Sequence, residues 1–330
     1  MRYLGSKTLL LGEIEKLVQD YNGNGTFCDP FGGIGTVGKH MKKCGFTVIT
    51  GDVLNFAHFF QVALVENNDK NCFQKLKDYL NVQNHIELEN YLSQIMVNTG
   101  WLIEEYAKKR QFFTNENAYH IQACINSINQ WRTREIITEK EYAILIASLI
   151  DSFDHVANTA GTYYAYLKTY YRKAKRPFSF RFLETTVGSN NCKSYLMDAN
   201  MLVRKVECDI LYLDPPYNER DYNRYYHLPE TVSKGIIPKP NGKSGVFTVN
   251  NIKSLYNSKQ AAVAFEDLIK HANAKCIIFH YTDNGLISIE DARTVLKKKG
   301  AVAEFQFDCK GYNTTHVANK CQHHIFKVII

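Results

Sequence analysis

The segment "CDILYLDPPYNERDY" at 208–222 limits the fold more than any other part of the chain. Ile210, Leu211, Tyr212 and Leu213 form the short apolar run expected of a central parallel strand buried on both faces. Pro215 and Pro216 have no N–H to give to a ladder, so the strand must stop at Asp214. Pro215 also confines Asp214 to extended backbone. The outcome is a rigid shelf at the carboxyl end of a strand. It carries one carboxylate, carbonyls released from the ladder and the ring of Tyr217. Ligands of open α/β sheets bind at that edge. A plain surface turn would need neither the acid nor the aromatic.

A second turn of this kind lies near the start. "GTFCDPFGGIGTVGKHMKKCG" (25–45) reads as strand, glycine loop and helix, and "FTVITGD" (46–52) as a strand ending in Asp52. Gly33-x-Gly35-x-x-Gly38 fits the dinucleotide fingerprint, with Asp52 at a suitable distance. Gly33-x4-Gly38-Lys39 also approaches a phosphate loop, but His40 stands where a Ser or Thr should hold Mg²⁺. Both readings let a ligand approach bare backbone and give its ribose hydroxyls an acceptor in Asp52. An adenosine derivative is therefore expected. Asp29, ahead of the glycines, places an acid where a cationic amino group, not a pyrophosphate, can sit.

With 330 residues, 45% of them hydrophobic, the chain can bury a full core and a second lobe. No apolar run is long enough to span a membrane. The start, "MRYLGSKTLLLGEIEKLV", carries acids and no small-residue cleavage site, so no secretory leader is expected. Nine cysteines without a C-x-x-C pair suggest reduced thiols and a cytoplasmic chain, with Cys28, Cys44, Cys208 and Cys276 as packing residues. The net charge of +7 favours a polyanionic partner.

Residues 6–20 have helical spacing, with Ser6 as a cap. Residues 55–165 read as mostly helical, with breaks at 100–101 and 126–131. Strands return at 208–214, 274–282, 301–309 and 324–330, with a helix at 287–300. This order predicts an α/β sheet, mixed and doubly wound, interrupted by a helical lobe. The sheet domain is drawn from 1–60 and 190–330, and the insertion from 61–189.

"DPFGGIGTVG" followed by "LDPPYN" resembles the adenine-specific DNA methyltransferases that use S-adenosylmethionine, the D12 class or alpha group. "RYLGSK" (2–7) is similar to the cofactor motif that comes first in that group, and "ANTAGTYYAYLK", "YYHLPETV" and "YTDNGLISIED" resemble segments of one branch. The resemblance covers most of the chain but little of 61–150. It implies a Rossmann-like methyltransferase sheet with an inserted target-recognition domain. It places Tyr3, Lys7, Asp29, Phe31, Gly33, Asp52, Asp198 and Asp214 around S-adenosylmethionine, with S-adenosylhomocysteine as product. Asp198 can equally be a polar loop residue. Asp214, Pro215, Pro216 and Tyr217 would act on the adenine amino group, with no metal.

The methyl acceptor would be an adenine flipped out of double-stranded DNA. A restriction–modification role, with a separate cognate endonuclease, is implied. Two other readings are the same chemistry on RNA or on protein glutamine, whose enzymes more often carry Asn in place of Asp214, and a catalytically silent DNA-binding relative. "LKTYYRKAKRPFSFRF" (167–182) has six basic residues, no acid and interleaved aromatics, and suits phosphate contact and base stacking through Arg172, Lys173, Lys175 and Arg176. Arg220 and Arg224, after the DPPY shelf, are further phosphate candidates. "KKRQFF" (108–113) and "WRTR" (131–134) are smaller basic clusters that serve equally well as solvated helix faces.

Overall fold

The computed structural model describes residues 1–21, 23–69, 72–189, 191–237, 239–247, 254–310 and 320–330. It divides into two compact units, Met1–Ser6 with Leu54–Val187 and Tyr222–Asn251, and Lys7–Val53 with Gly188–Asp221 and Ile252–Ile330.

The second unit holds one seven-stranded sheet. Its strands are β1 (Thr26–Asp29), β2 (Thr47–Asp52), β3 (Lys193–Leu196), β4 (Glu207–Leu213), β5 (Asn273–Thr282), β6 (Ala301–Lys310) and β7 (Lys320–Ile329). The spatial order is β3-β2-β1-β4-β5-β7-β6. β1 to β5 are parallel, while β7 runs antiparallel between β5 and β6. The chain winds outward from β1 to β3, then returns to lay β4 beside β1 and winds the other way. β1 and β4 therefore flank the point where strand order reverses, the usual ligand crevice of such sheets. The glycine loop leaves β1 and the Asp-Pro-Pro shelf leaves β4, so both motifs open at that point.

The apolar runs are buried as their composition requires. Phe27 and Cys28 of β1, Ile210 to Leu213 of β4 and Ile277 to Phe279 of β5 are each at most 1% exposed. β3, "KSYL", escaped the sequence reading because it is a half-exposed edge strand with no apolar alternation. The first helix is also not a single element. It runs as a 3-10 turn at Thr8–Leu10 and an α-helix at Leu11–Leu17, with Lys7 and not Ser6 in the capping position.

The other unit is helical. Its two longest helices, Asn115–Thr133 and Glu139–Asp154, are joined by a short turn. The first runs through 126–131, where a break was expected. Ile125, Ile128 and Trp131 keep a buried helical spacing, and Asn126 simply faces outward. The second starts on a capping box between Thr138 and Glu141 and is apolar on nearly every face, as a core helix must be. The buried carboxylate of Glu230 accepts the N–H groups of Asn55 and Phe56 at 3.2 and 3.1 Å, which caps the helix Asn55–Gln61. That contact, and the packing of His227–Lys234 on the same helix, hold 222–237 in the helical unit, whereas the sequence assigns this stretch to the sheet domain.

Asp209 ties together the three strands nearest the crevice. It accepts the Thr26 N–H at 2.7 Å and pairs with Lys275 at 2.7 Å. The Lys275 contact, then the Thr26 N–H, hold its carboxyl below the usual range. Asp209→Ala is expected to lower stability by about 1–2 kcal/mol near neutral pH, mainly by orphaning the Thr26 N–H. A depressed carboxyl contributes above its unfolded pKa and loses that contribution as pH falls through the folded value. The difference from wild type in denaturant unfolding should therefore shrink in acid.

Candidate active site

At the end of β4, Asp214 is 15% exposed and Lys7 is 5% exposed. Lys7 Nζ lies 2.8 Å from Asp214 Oδ2 and donates to the Tyr217 hydroxyl at 3.0 Å. Burial works against the Lys7 charge, but Asp214 and Tyr217 overcome it and hold the ammonium above its usual range. Burial raises the Asp214 carboxyl, and Lys7 pulls it back only in part. The second oxygen, Oδ1, is buried and has no hydrogen-bond partner among the described residues. Such an acceptor is costly unless something fills it. Tyr217 is held at its carbonyl by the Leu286 N–H at 3.0 Å, and its ring meets Tyr281 edge-on at 5.9 Å.

The glycine loop approaches from β1. Gly33 and Gly35 both have positive φ, 49° and 76°, so these two positions need glycine. Asp52, the last residue of β2, accepts the Gly33 N–H at 3.1 Å and so fixes the loop. Asp29 is 2% exposed and accepts the Phe31 N–H at 3.2 Å. Burial, first of all, drives its carboxyl far up; Asp214 and Asp52 add to this, and Lys7 opposes it. Phe31 packs edge-on against Tyr256 at 4.9 Å. Asp198 follows β3 and caps the helix Ala199–Val203 by accepting the Asn200 N–H at 2.9 Å, while the Met197 N–H bonds to the Asp52 carbonyl. Asp214 and Asp52 thus both act on Asp29, beside one buried ammonium and a loop of bare backbone. S-adenosylmethionine, with a cationic amino group, a sulfonium and a ribose diol, fits this donor set.

Tyr3, expected beside the cofactor, belongs to the helical unit. There its ring stacks on Tyr226 at 5.1 Å and touches Tyr222 and Phe56. "RYLGSK" is therefore divided between the two units after Ser6.

Two histidines went unassigned in the sequence. His280 of β5 is fully buried, 3.8 Å from Asp214 Oδ1 and 3.5 Å from the Tyr212 hydroxyl through Nδ1. Its Nε2 lies 2.7 Å from His323 Nδ1 on β7. A polar residue inside "CIIFHYT" was the available signal, because a buried strand rarely carries an imidazole without a partner.

The basic stretch is anchored as well as exposed. Asn117 donates to the carbonyls of Ala174 and Arg176, and Phe178 and Phe180 are buried. Arg172, Lys175 and Arg176 are exposed, whereas Lys173 donates to the Asp154 carbonyl and is partly buried. Tyr171 is the exposed aromatic of the run, at 62%. Arg220 is exposed in the sheet unit, and Arg224 lies over the Tyr164 ring at 5.5 Å in the helical unit. The smaller clusters are tied locally. Lys108, Lys109 and Arg110 pair with Glu104 and Glu105, and Arg132 holds Glu139 through two bonds.

Glu15, His40 and Cys44 bring three potential metal-ligand atoms within 4.8 Å of one another, though Glu15 already bonds to both partners. Seven described cysteines are free. No helix among the described residues is long and apolar enough to cross a membrane.

A Rossmann-type crevice with a glycine loop on one side and an Asp-Pro-Pro-Tyr shelf on the other defines an S-adenosylmethionine-dependent methyltransferase fold. The family model for the D12 class N6 adenine-specific DNA methyltransferases matches residues 3–294, and the chain belongs to that family. It is 35% identical to the modification methylase StsI of Streptococcus sanguinis over 90% of this chain and 46% of that protein. It is 36% identical to the type II methyltransferase M.FokI of Planomicrobium okeanokoites over 91% of this chain and 47% of that protein. The chain therefore spans about half the length of these two relatives. It matches the type II methyltransferase M.NlaIII of Neisseria lactamica at 32% identity, over 97% of this chain and 95% of the other.

Replacing Lys7 by Met removes the cation and leaves Asp214 buried alone. The expected loss is about 3 kcal/mol at neutral pH. The isolated carboxyl would have a folded pKa far above its unfolded one, so the folded state would gain protons. Such a group contributes stability below the unfolded pKa and loses it as pH rises through the folded value. The melting deficit of Lys7→Met should thus be greatest at neutral pH and shrink on acidification.

Proposed function

We propose that this chain transfers a methyl group from S-adenosylmethionine to the exocyclic amino nitrogen of an adenine flipped out of a specific sequence in double-stranded DNA. The observation that carries this reading is the buried Asp214 Oδ1, without a hydrogen-bond partner among the described residues, on a shelf that prolines hold rigid. An adenine amino nitrogen is a poor nucleophile because its lone pair is delocalised into the ring. Asp214 Oδ1 and the Pro215 carbonyl each accept one amino hydrogen, which favours a tetrahedral nitrogen with an available lone pair. Pro216 keeps the shelf from bending, and Tyr217 offers its ring for stacking, worth roughly 1–3 kcal/mol. Lys7 holds Asp214 by its other oxygen, so the carboxylate cannot turn away.

Asp29 and the Gly33 loop take the cofactor's charged end, with Phe31 as a wall. Asp52 takes the ribose hydroxyls and Asp198 the adenine amino group. When bound, S-adenosylmethionine supplies an activated methyl on a positively charged sulfur. The transfer needs no covalent enzyme intermediate and no metal.

The printed names of the relatives, modification methylase and type II methyltransferase, support a modification role in a restriction–modification system with a separately acting endonuclease. The same reading puts the protein on DNA in a bacterial cytoplasm. The helical unit, with its exposed Arg172, Lys175 and Arg176, is the proposed DNA-binding lobe, and Arg220 and Arg224 are proposed to meet phosphates.

Asp214→Ala should lower methylation of adenine in DNA by at least about 10²-fold, the effect of removing a donor or acceptor preorganised for the transition state. Because Ala also strips Lys7 of its carboxylate, Lys7→Met/Asp214→Ala is the control. It should regain thermal stability but no activity. Near-normal methyladenine formation by Asp214→Ala, read by sequencing of treated DNA, would exclude the assignment.

Arg172→Ala/Lys175→Ala should weaken binding to all DNA sequences alike. It should flatten the slope of log affinity against log salt by about two. Sequence preference should survive, since phosphate contacts position without reading bases. An unchanged slope would leave this stretch as solvated surface.

A further inference from the structure

We propose that His280 and His323 carry to solvent the proton that the substrate amino group gives to Asp214 when it is methylated; this rests on the function proposed above. In that reaction an N–C bond forms and the donor's C–S bond breaks, with its electron pair staying on sulfur. The amino nitrogen then carries one hydrogen too many, and a proton must leave. Asp214 Oδ1 is the acceptor nearest that hydrogen in the proposed arrangement. Asp214 is largely buried, and Lys7 already occupies its other oxygen. A proton left there would neutralise the carboxylate and disable the next turnover.

Among the described residues, two histidines lead from that oxygen toward the surface. Oδ1 faces His280 Nδ1 at 3.8 Å, and His280 Nε2 meets His323 Nδ1 at 2.7 Å, with the two rings 4.9 Å apart and inclined by 44°. His323 is partly exposed. The first gap exceeds a hydrogen bond by about 1 Å. Contacts of this kind often tighten only when a site fills. The proton passes from Asp214 to His280 Nδ1 while His280 Nε2–H passes its own to His323 Nδ1. His323 Nε2–H then releases one to water.

Such a chain works only with neutral imidazoles, each offering one N–H and one lone pair. The surroundings favour that state. Burial, then Lys7 and His323, push His280 well below the usual histidine range. Burial, then Lys7, lower His323 as well, with Asp283 opposing and His324 adding to the fall. Tyr212 also faces His280, and burial above all keeps its phenol protonated. His324, on the opposite face of β7, is engaged with Glu304 at 2.9 Å and stays outside the chain. A purely structural pair would not need to stand between Asp214 Oδ1 and the surface.

Both histidines act through Asp214 and not on the substrate, so the test needs more than a rate. In the wild-type protein without DNA, imidazole NMR at neutral pH should show both rings neutral. It should also show a low-field N–H shared between them, lost in His323→Gln. Charged rings, or no shared proton, would overturn the relay without recourse to any variant. His323→Gln should keep its S-adenosylmethionine affinity by calorimetry, yet its single-turnover methylation should fall about 10-fold at neutral pH. Added imidazole should recover part of that loss. Because His280 and Asp214 remain in both proteins, both should lose rate in acid, and the variant's deficit should be greatest at neutral pH and shrink as the wild-type imidazoles protonate. A His323→Gln rate equal to wild type across about pH 5–8 would overturn the relay. If the wild type itself methylates no DNA, it is the proposed function that fails, and the NMR result still decides whether the histidine pair exists.

Discussion

The buried ion pair between Lys7 and Asp214 is the contact on which the rest of the site depends. It joins the segment entering the sheet unit to the carboxyl end of its central strand, and it does so where water is largely excluded. A buried pair of this kind is weak evidence for stability, since apolar residues of similar volume often serve as well or better. Its value here is positional. Lys7 engages one carboxylate oxygen, and the prolines fix the backbone beneath it. The remaining oxygen is therefore buried and oriented, with no hydrogen-bond partner among the described residues. Lys7 also donates to Tyr217, so one ammonium sets both the acid and the aromatic of the shelf.

The crevice repeats one device on each side of the strand-order reversal. β1 ends in an acid followed by a proline and a glycine loop, and β4 ends in an acid followed by two prolines. Each acid is placed by its strand and released from the ladder by the residue after it. Burial drives both carboxyls upward, and Asp214 adds to the rise of Asp29, which suits a site that takes a cationic ligand. Asp52 adds a third acid and closes the glycine loop by accepting the Gly33 N–H. The acid that suits a ribose diol thus also shapes the loop around it.

Much of this could be read from the residues. The apolar run 210–213 and its prolines located the central strand and the shelf, because no other backbone satisfies both. The glycine loop and Asp52 located the opposite wall. Other features escaped for physical reasons. β3 is polar and half exposed, so it has no period to detect, and only pairing with β2 makes it a strand. Asn126 and Ser127 looked like a break, yet buried Ile125, Ile128 and Trp131 override their weak local preference. The Lys7 contact joins residues more than 200 positions apart in the chain, and no local pattern carries it. The histidine pair needs the antiparallel insertion of β7 beside β5, a register that the sequence does not state. The basic stretch showed its charge but not that Lys173 and two of its phenylalanines turn inward.

The winding of the sheet has a consequence for how the protein comes into being. Cys28 of β1 pairs with Leu211 of β4, and the whole span between Leu54 and Val187 lies between them in the chain. On the ribosome, β1 and β2 emerge long before the strand that completes their crevice. The long helices at 115–154, rich in local contacts, can form while the glycine loop still waits for its partner. Closure of the central sheet is thus a late, non-local event in synthesis. Until β4 arrives, the edge that β1 will turn toward it stays without its partner strand.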